Sequence, residues 1–153
     1  MGVSVEGFDS LVMNIPAGRI FAQEGHVRIA VTPRHSIAEM DNFGELTPEF
    51  FRMWGDATNY IVVRISAANT VQMWFDDGGG AHNAAWAAAG ALVAGTEYLF
   101  EVKWDAVHME LLVDGVQRIN IVQPVAFVTV PTAWWAGTTQ LGTQQVDAVF
   151  GSP

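Results

Sequence analysis

The chain has 153 residues, 50% of them hydrophobic, with six Trp, nine Phe and no Cys. One domain can therefore build a sizeable core by packing alone, and neither a disulfide framework nor a thiolate metal site is available. A formal net charge of -9, from 16 acidic residues against 7 scattered basic ones, argues against sequence-independent nucleic-acid binding and against an anionic membrane surface.

The start, Met1-Gly2-Val3-Ser4-Val5-Glu6, has no basic region before an apolar run and no Ser or Thr at position 6, so neither an export signal nor a myristoyl anchor is expected. Residues 3–15 alternate weakly and read as an edge strand. Residues 19–31 read as a strand pair or one long bent strand, with Ile20, Phe21, Val27, Ile29 and Val31 apolar, a turn or bulge at Glu24-Gly25, and a stop at Pro33. Residues 36–47 are polar and loop-like. Thr47-Pro48-Glu49 suits a helix start, but Phe50, Phe51, Met53 and Trp54 lead through Gly55-Asp56 and Asn59 into a strand at 60–65, which favours a hairpin. A turn at 66–69 and a strand at 70–75 follow, with Val71, Met73 and Phe75 on one face and Trp74 on the other.

Asp76-Asp77-Gly78-Gly79-Gly80 reads as a loop, and the Ala-rich stretch 84–94 is ambiguous between helix and strand. The clearest pattern is 95–115. Tyr98, Phe100, Val102 and Trp104 alternate with polar residues, and Met109, Leu111 and Val113 alternate up to Asp114-Gly115, a tight-turn dipeptide. Glu101, Lys103 and Glu110 then fall on the water-facing side. Residues 118–122, an apolar segment at 125–130, Trp134 to Ala136 and residues 145–150 complete the pattern, which no repeat and no unbroken apolar span interrupts. About ten short strands with frequent turn signals predict an all-β antiparallel two-sheet sandwich, residues 1–153 forming one domain.

Three stretches resemble the concanavalin A-like lectin/glucanase superfamily in its laminin-G-like form. They are 24–33, from Glu24-Gly25 to Pro33; 95–115, an aromatic strand ending in Trp104-Asp105 followed by an apolar strand ending in Asp114-Gly115; and 144–150, where Asp147 sits between apolar residues. The resemblance implies two curved antiparallel sheets in a jelly roll. That fold hosts lectins, glycosidases, adhesion modules and viral structural proteins, so function must come from sites.

Glu39, Asp41 and Glu45 approach the glycosidase pattern, in which carboxylates alternate along a strand about 5 to 5.5 Å apart. Glu45 is out of step and Gly44 breaks the strand, so a solvated acidic loop is expected and no catalytic residue is assigned. Asp76 and Asp77, with Asp105 and Asp114, offer hard oxygen ligands for calcium, but two Asp before three Gly also make an ordinary turn, and no cofactor is assigned. His26, His35, His82 and His108 lack metal-site spacing, and no nucleophile elbow or phosphate loop occurs.

Sugars stack on flat aromatic faces and bond to Asp, Asn and Gln in shallow sites, which makes Trp54, Trp74, Trp86, Trp134, Trp135, Asp77 and Asn83 the candidates for ligand or partner contact. Of Trp134 and Trp135 only one can point inward. Only 15% of residues are charged, against about 25% in ordinary soluble domains, which points to apolar surface buried against other chains. With no catalytic set, the composition favours a non-enzymatic, self-associating structural module of a larger assembly. Resemblance to small jelly-roll decoration proteins extends this to a virion surface component, a capsid decoration, cement or tail protein. The alternative is a carbohydrate-binding or adhesion module; a glycoside hydrolase ranks third.

Overall fold

The computed structural model describes residues 3–5, 11–14, 21–41, 48–66, 69–88, 90–136 and 148–151. They form twelve strands and one short helix: β1 (Val3–Val5), β2 (Leu11–Asn14), β3 (Gly25–Pro33), α1 (Ile37–Asp41), β4 (Glu49–Asp56), β5 (Asn59–Ser66), β6 (Thr70–Asp77), β7 (Ala81–Ala87), β8 (Tyr98–Trp104), β9 (Met109–Val113), β10 (Val116–Ile121), β11 (Ala133–Ala136) and β12 (Ala148–Gly151). Two six-stranded antiparallel sheets result, β1-β12-β3-β8-β9-β10 and β2-β11-β4-β5-β6-β7, and the protein is a β-sandwich. Alternation dictates the layering. Phe100, Val102, Trp104, Met109, Leu111 and Val113 of the first sheet are buried in one cluster with Phe51, Met53, Ile61, Val63, Met73 and Phe75 of the second.

Local chemistry fixes several joints. Asp114 and Gly115 both have positive φ, 51° and 75°, as a tight hairpin between β9 and β10 requires. Gly25 opens β3 directly against the indole of Trp104, and a Cβ there would overlap the ring, so no larger residue fits without moving Trp104. Phe50 and Phe51 are adjacent yet both buried, because a bulge between Glu49 and Phe51 re-aims the chain.

Several expectations are corrected. Residues 3–15 supply one edge strand to each sheet rather than a single strand. Phe21 precedes β3 outside any strand and is 55% exposed. Within 36–47, residues 37–41 are helical, because Ser36 and Glu39 cap each other: Ser36 N and Oγ both donate to Glu39 Oε2 at 2.8 Å, and Glu39 N donates to Ser36 Oγ. Residues 42–47, including Glu45, lie outside the described residues. The stretch 84–94 is strand to Ala87, then a turn in which Leu92 is buried.

The apolar segment 125–130 is not a strand. It crosses one end of the sandwich from β10 to β11, and its backbone bonds run to loops and strand ends. Val125 N donates to Asp105 O, Phe127 N to Ala22 O and Thr132 N to Trp54 O. Asn59, 2% exposed, latches the crossing: its Oδ1 accepts from Val128 N at 2.9 Å and Thr129 N at 3.1 Å, while its Nδ2 donates to Asp56 Oδ1 at 2.9 Å.

Glu101 does not face water as alternation implies; it is 5% exposed. The long side chains of its own face close over it. Arg28 Nε donates to Oε2 at 2.8 Å, His26 Nε2 lies 2.9 Å from the same oxygen, and Lys103 Nζ is 4.0 Å away. Burial pushes this carboxyl up, but hydrogen bonds from His26 and Arg28 and the charges of Arg28 and Lys103 together hold it below the usual glutamate value. A depressed carboxylate contributes stability above its unfolded pKa, about 4.3, and loses it as pH falls through the folded value. Glu101→Gln is therefore expected to melt below the wild type at pH 7, with the gap closing below about pH 4 as both forms become neutral. Melting curves from pH 7 to 3 check this, and a constant gap would refute the assignment.

Candidate functional site

The second sheet turns one face to the core and the other outward, and among the described residues no helix covers the outward side. Register brings five strands' outward residues together. Trp135 on β11 is opposite Arg52 on β4, and Arg52 is opposite Val62 on β5. Trp54 is opposite Tyr60; Val62 is opposite Trp74 on β6, which is opposite Asn83 on β7; Arg64 is opposite Gln72. The face is a platform of four aromatic rings, two guanidiniums and two amides.

Its parts are fixed by each other. Trp54 and Tyr60 stack with centroids 5.9 Å apart, and Trp135 meets Trp54 edge-on at 6.4 Å. The Arg52 guanidinium lies 5.6 Å from the Trp54 ring and 5.3 Å from Tyr60, and Arg64 lies 4.7 Å from Trp74. Such stacking is worth about 0.5–1 kcal/mol at exposed sites. Beneath, the carboxylate of Glu49, 1% exposed, takes a two-pronged bond from Arg52, Nε to Oε2 at 3.0 Å and Nη2 to Oε1 at 2.6 Å. Arg64 stands opposite Glu49 and feels its charge, but among the described residues it forms no ion pair; its Nε donates to Gln72 Oε1 at 2.8 Å, and Gln72 Nε2 donates onward to Asn83 Oδ1 at 3.0 Å. This arginine, two-amide chain crosses three strands.

Burial, with the nearby Asp76 charge, raises the Tyr60 phenol, so it stays a neutral hydroxyl. Flat apolar rings beside neutral amides, a phenol and a guanidinium can receive a ligand with an apolar face and hydroxyl edges. A concavity of about 790 Å³ lies elsewhere, at the crossing end, lined by Phe21, Glu24, Asp105, Phe127 and Val128. There Asp105 Oδ1 is already occupied by Val107 N, His108 N and His108 Nδ1, so the platform is the better-equipped surface.

The residues singled out from sequence divide accordingly. Trp54, Trp74 and Asn83 meet on the platform; Trp135 stands on the same side of the sheet but is buried, 9% exposed. Trp86 and Trp134 lie on the inner side, partly buried against the core, with the Arg118 guanidinium 4.8 Å from the Trp86 ring. Asp76 and Asp77 hold their own turn: Gly78 N donates to Asp76 Oδ1, Gly79 N to Asp77 Oδ1, and Ala126 N to Asp77 Oδ2. Among the described residues no group of three or more His, Asp or Glu is placed to hold a metal ion. Glu39 sits on α1 rather than on a strand, so it does not enter the alternating carboxylate arrangement. Arg52, Tyr60, Arg64 and Gln72 were not anticipated, although their alternation with buried neighbours marks them as outward.

No family model matches the chain, and no curated protein matches it. Solved structures do. Domains LG4-5 of the mouse laminin alpha1 chain superpose with TM-score 0.71 at 13% identity, covering 95% of this chain and 39% of that one. The CBM40 of the Ruminococcus gnavus IT-sialidase, bound to alpha2,3 sialyllactose, superposes with TM-score 0.55 at 14% identity over 84% and 75%. A Caenorhabditis elegans galectin superposes with TM-score 0.53 at 11% identity over 99% and 96%. The chain thus spans about two fifths of the laminin fragment and nearly all of the galectin. Two antiparallel sheets, together with these superpositions, give the chain the concanavalin A-like, laminin-G-like jelly-roll fold.

Proposed function

We propose that residues 1–153 form one non-enzymatic carbohydrate-binding or adhesion module, which holds glycan on the outward face of its second sheet. The observation that carries this reading is the platform itself: Trp54, Tyr60 and Trp74 supply ring faces, and the Arg64, Gln72 and Asn83 chain supplies directed polar groups beside them. Similar folds in a sialyllactose-bound CBM40 and in a galectin support it. In this reading a sugar ring lies against Trp74 or Trp54 through its C–H face, and its hydroxyls bond the amides and the guanidinium. The virion-component reading rests on composition and on a resemblance to small jelly-roll decoration proteins, and the binding module takes precedence because it accounts for particular side chains.

A glycan array with the isolated domain tests the proposal, with hits confirmed by calorimetric titration. Binding that competes with free ligand and depends on platform residues is the expected result. Binding that persists when the platform is altered would locate the site elsewhere.

A further inference from the structure

We propose that the platform selects an acidic glycan, whose anionic, acceptor-only group, a carboxylate or a sulfate ester, sits against the Arg64, Gln72 and Asn83 chain. The inference rests on the glycan reading and adds the class of sugar. An arginine has no acceptor, so the direction of every bond in the chain is set from Arg64 outward. Gln72 must turn Oε1 to Arg64 Nε, its Nε2 then faces Asn83, and Asn83 must answer with Oδ1. Each amide oxygen is thus engaged within the chain, and donors are left over. They are the Nη groups of Arg64, the second Nε2 proton of Gln72 and both Nδ2 protons of Asn83, for which no acceptor is found among the described residues. A carboxylate or sulfate meets such a row with acceptors alone, whereas a hydroxyl brings a proton that has to be placed elsewhere.

Charge and space point the same way. Arg52 and Arg64 share the face, but Arg52 holds both oxygens of Glu49, although Glu49 stands opposite Arg64 in register. Arg64 is half-buried and laid on the Trp74 ring at 4.7 Å, so its guanidinium is held in one plane without a bonded carboxylate among the described residues. The residue opposite Gln72 on β7 is Ala85, exposed and small, which leaves the space over the chain open. The carboxylate of Asp76, on the same face of β6, lies opposite Tyr60, about 13 Å along the strand from Gln72. The platform is therefore polar lengthwise, with donors and a cation at the Arg64 end and an anion at the Asp76 end, and an acidic sugar has one favourable orientation on it. The field of the whole chain, at net charge -9, repels anions, so a preference for acidic glycans has to come from this local arrangement.

An array that pairs each acidic oligosaccharide with its neutral counterpart, uronate with methyl ester and sulfate ester with the desulfated sugar, tests the proposal. Calorimetric titration then gives the ratio of affinities within a pair. The acidic member of the best-bound pair is expected to bind about tenfold more tightly, and which pair it is distinguishes carboxylate from sulfate. Asn83→Asp keeps the bond from Gln72 but replaces the outer donors by a charge, and Arg64→Gln removes the guanidinium fork. With melting curves confirming that both variants are folded, each is expected to bring the two members of the pair to near-equal affinity. Equal affinity within every pair, a tighter neutral member, or a ratio that neither substitution moves would overturn the inference and leave the glycan reading standing. Binding of no glycan at all would overturn both.

Discussion

Asn59→Ala is expected to lower the melting temperature by about 10 °C, from a loss of roughly 3 kcal/mol. The residue is buried at the point where residues 122–132 pass from one sheet to the other, and its amide makes four bonds, accepting from Val128 N and Thr129 N and donating to Asp56 Oδ1 and Thr58 Oγ1. Removing it strips acceptors from Val128 N and Thr129 N, part-buried bonds worth about 1 kcal/mol each, and leaves the space its buried side chain fills. Val128 N keeps only a long bond to Asp77 O, at 3.4 Å. The same substitution removes a donor from Asp56, whose carboxyl is held far below the usual aspartate range by Asn59 first, then by Thr129 and Thr58. Because that pKa is depressed in the fold, its contribution is present above the unfolded value, about 3.9, and is lost as pH falls. The deficit of Asn59→Ala is therefore expected to be smaller in acid than at pH 7. A variant that melts like the wild type would show that the crossing segment is held by its apolar contacts, Val125 and Phe127, rather than by this amide.

Trp74→Ala is expected to lower glycan affinity about thirtyfold while leaving the fold in place, as truncation of a central aromatic anchor commonly costs about 2 kcal/mol of binding. Trp74 stands opposite Val62 and Asn83 at the middle of the platform and supports the Arg64 guanidinium. Its loss removes the ring face and lets Arg64 move. The cost to stability is expected to stay near 1 kcal/mol, the worth of an exposed cation–π contact. Trp134→Ala is the informative contrast. That ring packs against the core, so its removal is expected to depress melting first and binding only through unfolding. Equal effects of the two variants on binding, at equal folded fraction, would contradict the division between outward and inward tryptophans.

Strict period-two alternation made much of the sandwich readable from the amino acids. Tyr98 to Trp104 and Met109 to Val113 have no other way to bury their apolar side, and Asp114-Gly115 states its turn in two residues. The hairpin of β4 and β5 was legible from Gly55-Asp56 and Asn59 in the same way. Ser36 and Glu39, three apart, carried the capping-box signal for α1, which the polarity of the surrounding segment obscured. Other features depend on partners distant in sequence. Which of Trp134 and Trp135 faces out is decided by the register of β11 on β4, and residues 125–130 look like a strand but find their bonds at Asp105, Ala22 and Asn59. Glu101 sits at an outward position yet is covered by side chains from a strand some seventy residues earlier in the chain. The platform shows the same limit: Trp74 was legible as outward, but its companions Arg64, Tyr60 and Trp54 come together only once β4, β5 and β6 are in register.

The most direct measurement is an NMR titration of the indole N–H signals with a glycan that binds on the array. Trp54 and Trp74 are expected to shift in step with ligand, the Trp104 signal staying still inside the core, and Trp74→Ala is expected to abolish the response at matched concentration. Saturable binding that leaves the Trp54 and Trp74 signals unmoved, or that Trp74→Ala does not weaken, would contradict a glycan site on this face.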